Sequence, residues 1–199
     1  MSDDISRRAV LVSAAIVPVA ALTATAQTPA PPASALSDSQ LRLLAAIVDR
    51  VIPKDELGPS ASESGVTEYI NRSLADYLAP EKPAFLEGLE QTDAFARRTQ
   101  NQPFVNLSAE KQDAVLTAMD NGAADGFPNA RAFFNRARRL TLEGMFGDPY
   151  YGGNKNFAGW DLIRYPGPRL ATSADDQKMG IEIQPLHRSA YGSGTDHGH

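Results

Sequence analysis

The sequence lacks cysteine altogether, since none of its 199 residues carries a thiol. A chain without thiols cannot form a disulfide, ligate an iron–sulfur cluster, build a thiolate zinc site or attach haem c through a Cys-x-x-Cys-His motif. Its fold must therefore be stabilised by packing and hydrogen bonding, and redox groups that need cysteine are excluded from this chain.

Histidine is scarce, and the three in the chain, His187, His197 and His199, all lie near its end. A serine triad or a Cys–His pair needs a histidine base within the fold, so the sequence indicates neither. Two histidines on a Gly/Ser/His-rich end that we expect to be flexible also make a poor metal site. We therefore expect no catalytic residue and no metal ligand.

Cofactor motifs are missing as well. Gly192-Ser193-Gly194 lacks the final glycine of the dinucleotide-binding motif Gly-x-Gly-x-x-Gly. The phosphate-binding motif Gly-x-x-x-x-Gly-Lys is absent from the sequence. Glu143 and Asp148 could form an acid/base pair, but carboxylates at the end of a helix more often cap it or pair with neighbours such as Arg138 and Arg139. The sequence predicts no flavin, haem or other cofactor in this chain.

Positive charge is in short supply. The formal net charge is −5 and the pI is about 5.2. These values leave no broad positive field to attract a phosphate backbone, so we exclude nucleic acid as a partner.

The N-terminal apolar run, Ala9 to Leu22, falls short of the ~20 residues that a helix needs to cross the hydrocarbon core of a membrane.

That apolar run belongs to a targeting segment. Arg7 and Arg8 precede it, and a small-residue site, Ala24-Thr25-Ala26, follows it. This order is that of a secretory signal peptide, so we assign residues 1–26 to a signal that is cleaved after Ala26.

The paired arginines indicate a particular export route. Ser6-Arg7-Arg8 resembles the twin-arginine signal, which directs the export of folded proteins. Val10 and Val12 stand where that signal more often has Phe and Lys. An ordinary secretory signal and an uncleaved anchor are the alternatives.

The rest of the chain predicts a single all-α domain. Residues 27–36 are rich in Pro and Ala and predict an extended tether, residues 37–190 a compact helical domain, and residues 191–199 a flexible tail. Apolar residues recur at helical spacing in about five stretches, although Gly180 to Gln184 is compatible with a short extended segment. The expected helices are Asp38 to Val51, Gly65 to Leu78, one from Pro83 through Ala96, one capped by Ser108 and one capped by Asn129.

The start of the first helix has the clearest local pattern. Ser37 and Gln40 have the spacing of a capping box, in which each side chain bonds the other residue's backbone N–H. Pro53 predicts the end of the same helix, because proline cannot continue the backbone hydrogen bonding.

From Phe146 to Gly167 the composition changes to Gly, Pro, Asn and aromatic residues. Glycine and asparagine allow sharp turns and close backbone approach, while aromatic residues supply the large rigid contact area of an interface anchor. The stretch therefore predicts either a docking surface for a partner protein or a loop that folds back and caps the helical domain. Chemistry alone does not separate the two.

This stretch is similar to the signature of the gluconate 2-dehydrogenase subunit 3 family, the small or gamma subunits of bacterial membrane-bound flavin dehydrogenases. Ile52-Pro53 after the first helix and the paired arginines also fit, whereas Arg164 stands where the family more often has Gly. The residues that carry the resemblance, which we predict to dock a partner, are Glu143, Gly144, Phe146, Asp148, Pro149, Tyr151, Gly152, Gly153, Asn154, Trp160, Tyr165, Pro166 and Gly167.

The resemblance implies a small subunit with neither catalytic residues nor a cofactor of its own. Its expected partners are a large FAD-binding dehydrogenase of the glucose–methanol–choline type, a multihaem cytochrome c subunit and the twin-arginine export machinery. The chain would bind the flavoprotein, assist its maturation and carry it to the periplasm, where the complex associates with the inner membrane. Two alternatives stay open: a free-standing exported module whose aromatic loop binds a small ligand such as a sugar, and an independent hydrolase.

Overall fold

The computed structural model of the protein describes residues 34–192. Within that range the chain forms α-helices and short 3₁₀ turns and no strand, which confirms the all-α prediction. The export signal at Arg7, Arg8, Ala24 and Ala26, the tether up to residue 33 and the tail from residue 193 lie outside the described residues. The six α-helices are α1 Asp38–Val51, α2 Val66–Ala75, α3 Lys82–Gln100, α4 Ala109–Asp120, α5 Ala130–Phe146 and α6 Ala158–Leu162.

Helix α1 begins and ends as its sequence predicts. The backbone N–H of Gln40 donates to the Ser37 hydroxyl at 3.4 Å, and the Ser37 N–H donates to the Gln40 side chain at 2.9 Å, which completes the capping box. At the other end Ile52 is extended, with φ −132° and ψ 91°. This is the backbone that a following proline imposes, because the proline ring clashes with a helical neighbour.

Several local predictions differ from the structure. Helix α2 stops at Ala75 rather than Leu78, and a 3₁₀ turn, Ala79–Glu81, leads into α3. Ser108 and Asn129 occupy the N-cap positions of α4 and α5, but neither side chain bonds the helix N-terminus. A helix that packs well on its neighbours does not need the roughly 1 kcal/mol that a cap supplies.

The packed domain also begins earlier than residue 37. Ala35 and Leu36 are buried, and the Leu36 N–H donates to the Asn71 side chain of α2 at 3.0 Å. At the other end, Gly180 to Gln184 forms no strand. No helix among the described residues is long and apolar enough to cross a membrane.

Helix α5 lies at the centre of the domain and packs against each of the other five α-helices. Its inward residues Leu140 and Met145 have no exposed surface. Helix α3 approaches α5 closely at Gly88, where an added Cβ would overlap the ring of Phe133 on α5. Removing a fully buried leucine such as Leu140 typically costs about 2–5 kcal/mol. The segment that follows α5 therefore starts from a rigid support.

Candidate docking site

The residues with the family resemblance form one segment, residues 143–167, which we call the signature segment. It covers the last turn of α5, two 3₁₀ turns, helix α6 and the bend after it. Of the predicted docking residues, Tyr151 and Tyr165 are exposed. Those that are buried are Gly144, Gly153, Asn154, Trp160 and Gly167; those that are half-buried are Glu143, Phe146, Asp148, Pro149, Gly152 and Pro166.

The side chain of Asn154 hydrogen-bonds two parts of the segment to each other. The side chain is fully buried, and its Nδ2 donates to the Gly147 carbonyl at 2.9 Å while its Oδ1 accepts the Gly159 N–H at 2.8 Å. These bonds join the residue after α5 to the first turn of α6. Asn154 also has a positive φ of 47°, a conformation that asparagine tolerates better than most residues.

Glycines in this segment permit contact between backbones. A Cβ on Gly153 would overlap the carbonyl oxygen of Gly144, and a Cβ on Gly159 would overlap that of Met145. Gly144 in turn faces the ring of Tyr69 on α2, 2.7 Å from where its Cβ would stand. A side chain at Gly153 or Gly159 would push the segment away from α5, and one at Gly144 would push α5 away from α2.

Trp160 belongs to the interior of the segment. It is 5% exposed, and its indole N–H donates to the Phe146 carbonyl at 2.9 Å. Carbonyls in the last turn of a helix have no partner within the helix, so this bond satisfies one of them. The indole also packs edge-on against Tyr165, with ring centroids 4.9 Å apart.

The backbone conformation at Arg164 bears on the one position where this chain departs from the family pattern. Its φ is 53°, in the left-handed region that favours glycine. The position where the family more often has Gly is thus one where glycine suits the backbone. Arginine adopts this conformation here, and its N–H donates to the Asp161 carbonyl at 3.1 Å.

The two carboxylates that could have formed an acid/base pair have structural partners. Glu143 pairs with Arg139 at 3.0 Å and accepts the Tyr69 hydroxyl at 3.3 Å. Asp148 accepts the backbone N–H groups of Tyr150 and Ala190 at 2.9 and 2.8 Å. Nor do the residues from 34 to 192 contain a group of three or more His, Asp or Glu arranged to hold a metal ion.

The exposed side of the segment is a tyrosine face formed by Tyr150, Tyr151 and Tyr191, whose ring centroids lie 4.7–5.7 Å apart. The Tyr151 hydroxyl donates to that of Tyr191 at 3.1 Å, and this hydrogen bond raises the pKa of Tyr151 above its usual value. A phenol with its ordinary pKa of about 10 is already neutral at physiological pH, and the raised pKa leaves Tyr151 neutral as well. Sequence reasoning missed Tyr191 because its position at the start of the expected tail gave no sign of packing.

A groove of about 380 Å³ lies beside the tyrosine face. Its lining is mainly aromatic and comes from the signature segment together with Pro168, Ala190 and Tyr191. The residues that line it are Phe146, Asp148, Tyr151, Trp160, Ile163, Tyr165, Pro168, Ala190 and Tyr191. The inner side of the segment caps the helical domain, as one of the two sequence-based interpretations expects. The outer side is exposed, and its role in docking stays a prediction.

The structure is thus a helical domain that the signature segment closes at the end of α5. A model of the family described as gluconate 2-dehydrogenase subunit 3 matches residues 38–167, more than half of the chain. The chain belongs to that family, and membership implies a subunit of a multi-subunit dehydrogenase complex. No curated protein and no solved structure matches the chain.

Proposed function

We propose that this chain is the non-catalytic small subunit of a periplasmic, membrane-associated, FAD-dependent dehydrogenase. It binds the large flavoprotein subunit of the glucose–methanol–choline type, assists its maturation and accompanies it during export. FAD belongs to that large subunit and haem c to a multihaem cytochrome subunit. The observation that carries the proposal is the family match, which spans α1 to the end of the signature segment.

The geometry of the signature segment supports a docking role. Its inner residues, such as Asn154 and Trp160, hold a fixed backbone against α5. That frame presents Tyr151, 48% exposed, and Tyr165, 38% exposed, to the outside. Rigid, partly exposed tyrosines lose little conformational entropy when a partner covers them, which favours their use at interfaces.

The export part of the proposal rests on the sequence of the first 26 residues. Arg7 and Arg8 followed by an apolar run fit a route for folded cargo. Such a route suits a flavoprotein that must bind FAD before it crosses the membrane. Two outcomes test this part. Deletion of the gene should leave the flavoprotein in the cytoplasm, and Arg7→Lys combined with Arg8→Lys should do the same. Unchanged periplasmic flavoprotein in either strain would contradict it.

Direct binding is tested by co-expression with a flavoprotein encoded beside this gene. A tag on the flavoprotein should retain the full chain at a fixed stoichiometry, and the purified complex should contain flavin. The isolated chain should show neither flavin nor haem absorbance. Failure of the wild-type chain to co-purify would contradict the proposal.

The aromatic groove favours one second candidate, a free-standing module that binds a small ligand. Its volume of about 380 Å³ falls within the range of ~300–1,000 Å³ typical of small-molecule sites. Such sites bury most of their ligand, whereas the tyrosines at this rim are 38–61% exposed. A thermal shift of the isolated chain with mono- and disaccharides would favour this candidate. The absence of a shift would count against it and in favour of the subunit proposal.

A further inference from the structure

We propose that residues 186–191 form a second docking element, in which Tyr191 adds specificity for the flavoprotein subunit beyond the family signature. This inference rests on the proposed function. We call these residues the C-terminal strap. They lie beyond residue 167, where the family match ends, yet they pack directly on the signature segment.

The first two residues of the strap make three contacts with the signature segment. The Leu186 N–H donates to the Pro166 carbonyl at 2.9 Å. His187 stacks on the ring of Phe157, with centroids 5.1 Å apart and planes 11° from parallel, and its Nε2 lies 2.7 Å from an Asp161 carboxylate oxygen. These contacts fix the path of the strap along α6.

Near its end the strap is fixed by a residue of the signature itself. The Asp148 carboxylate accepts the Ala190 N–H at 2.8 Å while its other oxygen caps the turn at Tyr150. Ser189 is 5% exposed, so this part of the strap is packed against the domain. One signature carboxylate thereby holds the backbone both at Tyr150 and at Ala190, the residue before Tyr191.

The strap completes the exposed surface. Tyr191 contacts both Tyr150 and Tyr151, and Ala190 and Tyr191 supply one wall of the groove. Without the strap the groove would lack this wall. The docking surface is therefore composite, with one part inside the family match and one part outside it.

The chemistry of this surface fits a protein segment of moderate polarity. The Tyr151 phenol is neutral, and both oxygens of Asp148 already accept backbone N–H groups. The groove therefore offers aromatic area and hydroxyl groups rather than an unpaired charge. A partner segment with aliphatic or amide side chains and accessible carbonyl oxygens matches it, and the exposed rim suits a protein better than an enclosed small molecule.

Tyr77 provides a matched control for Tyr191. The two tyrosines are 60% and 61% exposed, and each shares a hydroxyl-to-hydroxyl hydrogen bond with a second tyrosine, Tyr69 or Tyr151. Tyr77 is not among the residues that line the groove. Replacing either with alanine removes an exposed phenol and one hydroxyl-to-hydroxyl hydrogen bond, at two different places.

The test is the Kd between the purified full chain and the flavoprotein subunit, measured for four proteins. Tyr191→Ala should weaken binding by about tenfold or more, the loss expected of a tyrosine that anchors an interface. Tyr191→Phe keeps the ring and should stay within about threefold of wild type, since an exposed hydrogen bond contributes little net free energy. Tyr77→Ala should bind like wild type. Circular dichroism confirms that each variant is folded.

The outcomes separate this inference from the proposed function. If the wild-type chain does not bind the flavoprotein, the proposed function fails. If wild type binds and Tyr191→Ala binds equally well, only the role of the strap is overturned. Loss of a homodimer in Tyr191→Ala, with flavoprotein binding intact, would assign the tyrosine face to a second copy of the chain and would also overturn it.

Discussion

The indole N–H of Trp160 donates a 2.9 Å hydrogen bond to the carbonyl oxygen of Phe146, the last residue of α5. The bond fastens α6 across the end of the central helix. Because Trp160 is 5% exposed, its substitution acts first on the fold. Its predicted part in docking stays a prediction.

Trp160→Phe should destabilise the chain by about 1–3 kcal/mol, because it leaves a part-buried carbonyl without a donor. Trp160→Ala should cost more, about 3–5 kcal/mol, since it also opens a cavity. Urea denaturation of the isolated chain measures both. Tyr165→Phe, which changes an exposed ring, should stay within about 0.5 kcal/mol of wild type. Equal stability of Trp160→Phe and wild type would show that the bond is not needed.

Gly153→Ala should destabilise the domain by at least about 1–3 kcal/mol, because its Cβ would overlap the Gly144 carbonyl oxygen. Gly58→Ala is the matched control, since a Cβ added to Gly58 would meet no atom within 4 Å and its φ is not positive. The control should be neutral or slightly stabilising, as expected where alanine fits the native backbone. Thermal melts compare the two, and equal melting temperatures would refute the close packing at Gly153.

Arg164→Gly should stabilise the chain by about 1 kcal/mol, because glycine adopts a φ of 53° without the steric cost that arginine bears. Arg164→Ala separates backbone from side chain: it removes the guanidinium but retains the strain, so it should not stabilise. Chemical denaturation gives both values. A gain in Arg164→Ala equal to that in Arg164→Gly would mean that the arginine side chain, and not the backbone, is unfavourable.

The ion pair between Arg50 of α1 and Asp113 of α4 predicts a pH dependence. The hydrogen bond from Arg50, at 2.7 Å, lowers the pKa of Asp113 below its usual value. The stabilisation is therefore present above the ordinary carboxyl pKa of about 3.9 and is lost as the pH falls through the lowered value. Both side chains are partly exposed, so the contribution is at most about 1 kcal/mol.

Asp113→Asn should accordingly be less stable than wild type at neutral pH, and the two should converge in acid. Arg50→Gln should show the same convergence, because it removes the other member of the pair. Denaturant midpoints measured from neutral to acidic pH check both variants. A constant difference across the pH range would contradict a role for the ionised pair.

The helices could be predicted because their sequence signals are local. Residues whose contacts are distant along the chain could not be placed from the sequence. The capping box of Ser37 and Gln40 needs only its own four residues, so its sequence was sufficient. Asn154 has no such local signal, because its two partners, Gly147 and Gly159, become adjacent only when the segment folds. The same applies to Tyr191, which meets Tyr151 from 40 positions away along the chain.

The outward or inward direction of the aromatic residues was the least predictable feature. Composition marked residues 146–167 as unusual but could not show that Trp160 faces inward and Tyr151 outward. That division depends on which backbone groups at the end of α5 still need partners. The indole N–H can satisfy a part-buried carbonyl, whereas a phenol at the rim remains near solvent.

The most direct measurement is co-purification of the full wild-type chain with the tagged flavoprotein subunit from cells that express both. The proposed function predicts a stable complex that contains flavin and has a fixed ratio of the two chains. Recovery of a flavin-loaded, correctly exported flavoprotein without this chain bound, and without any dependence on its gene, would contradict the role as an accessory subunit.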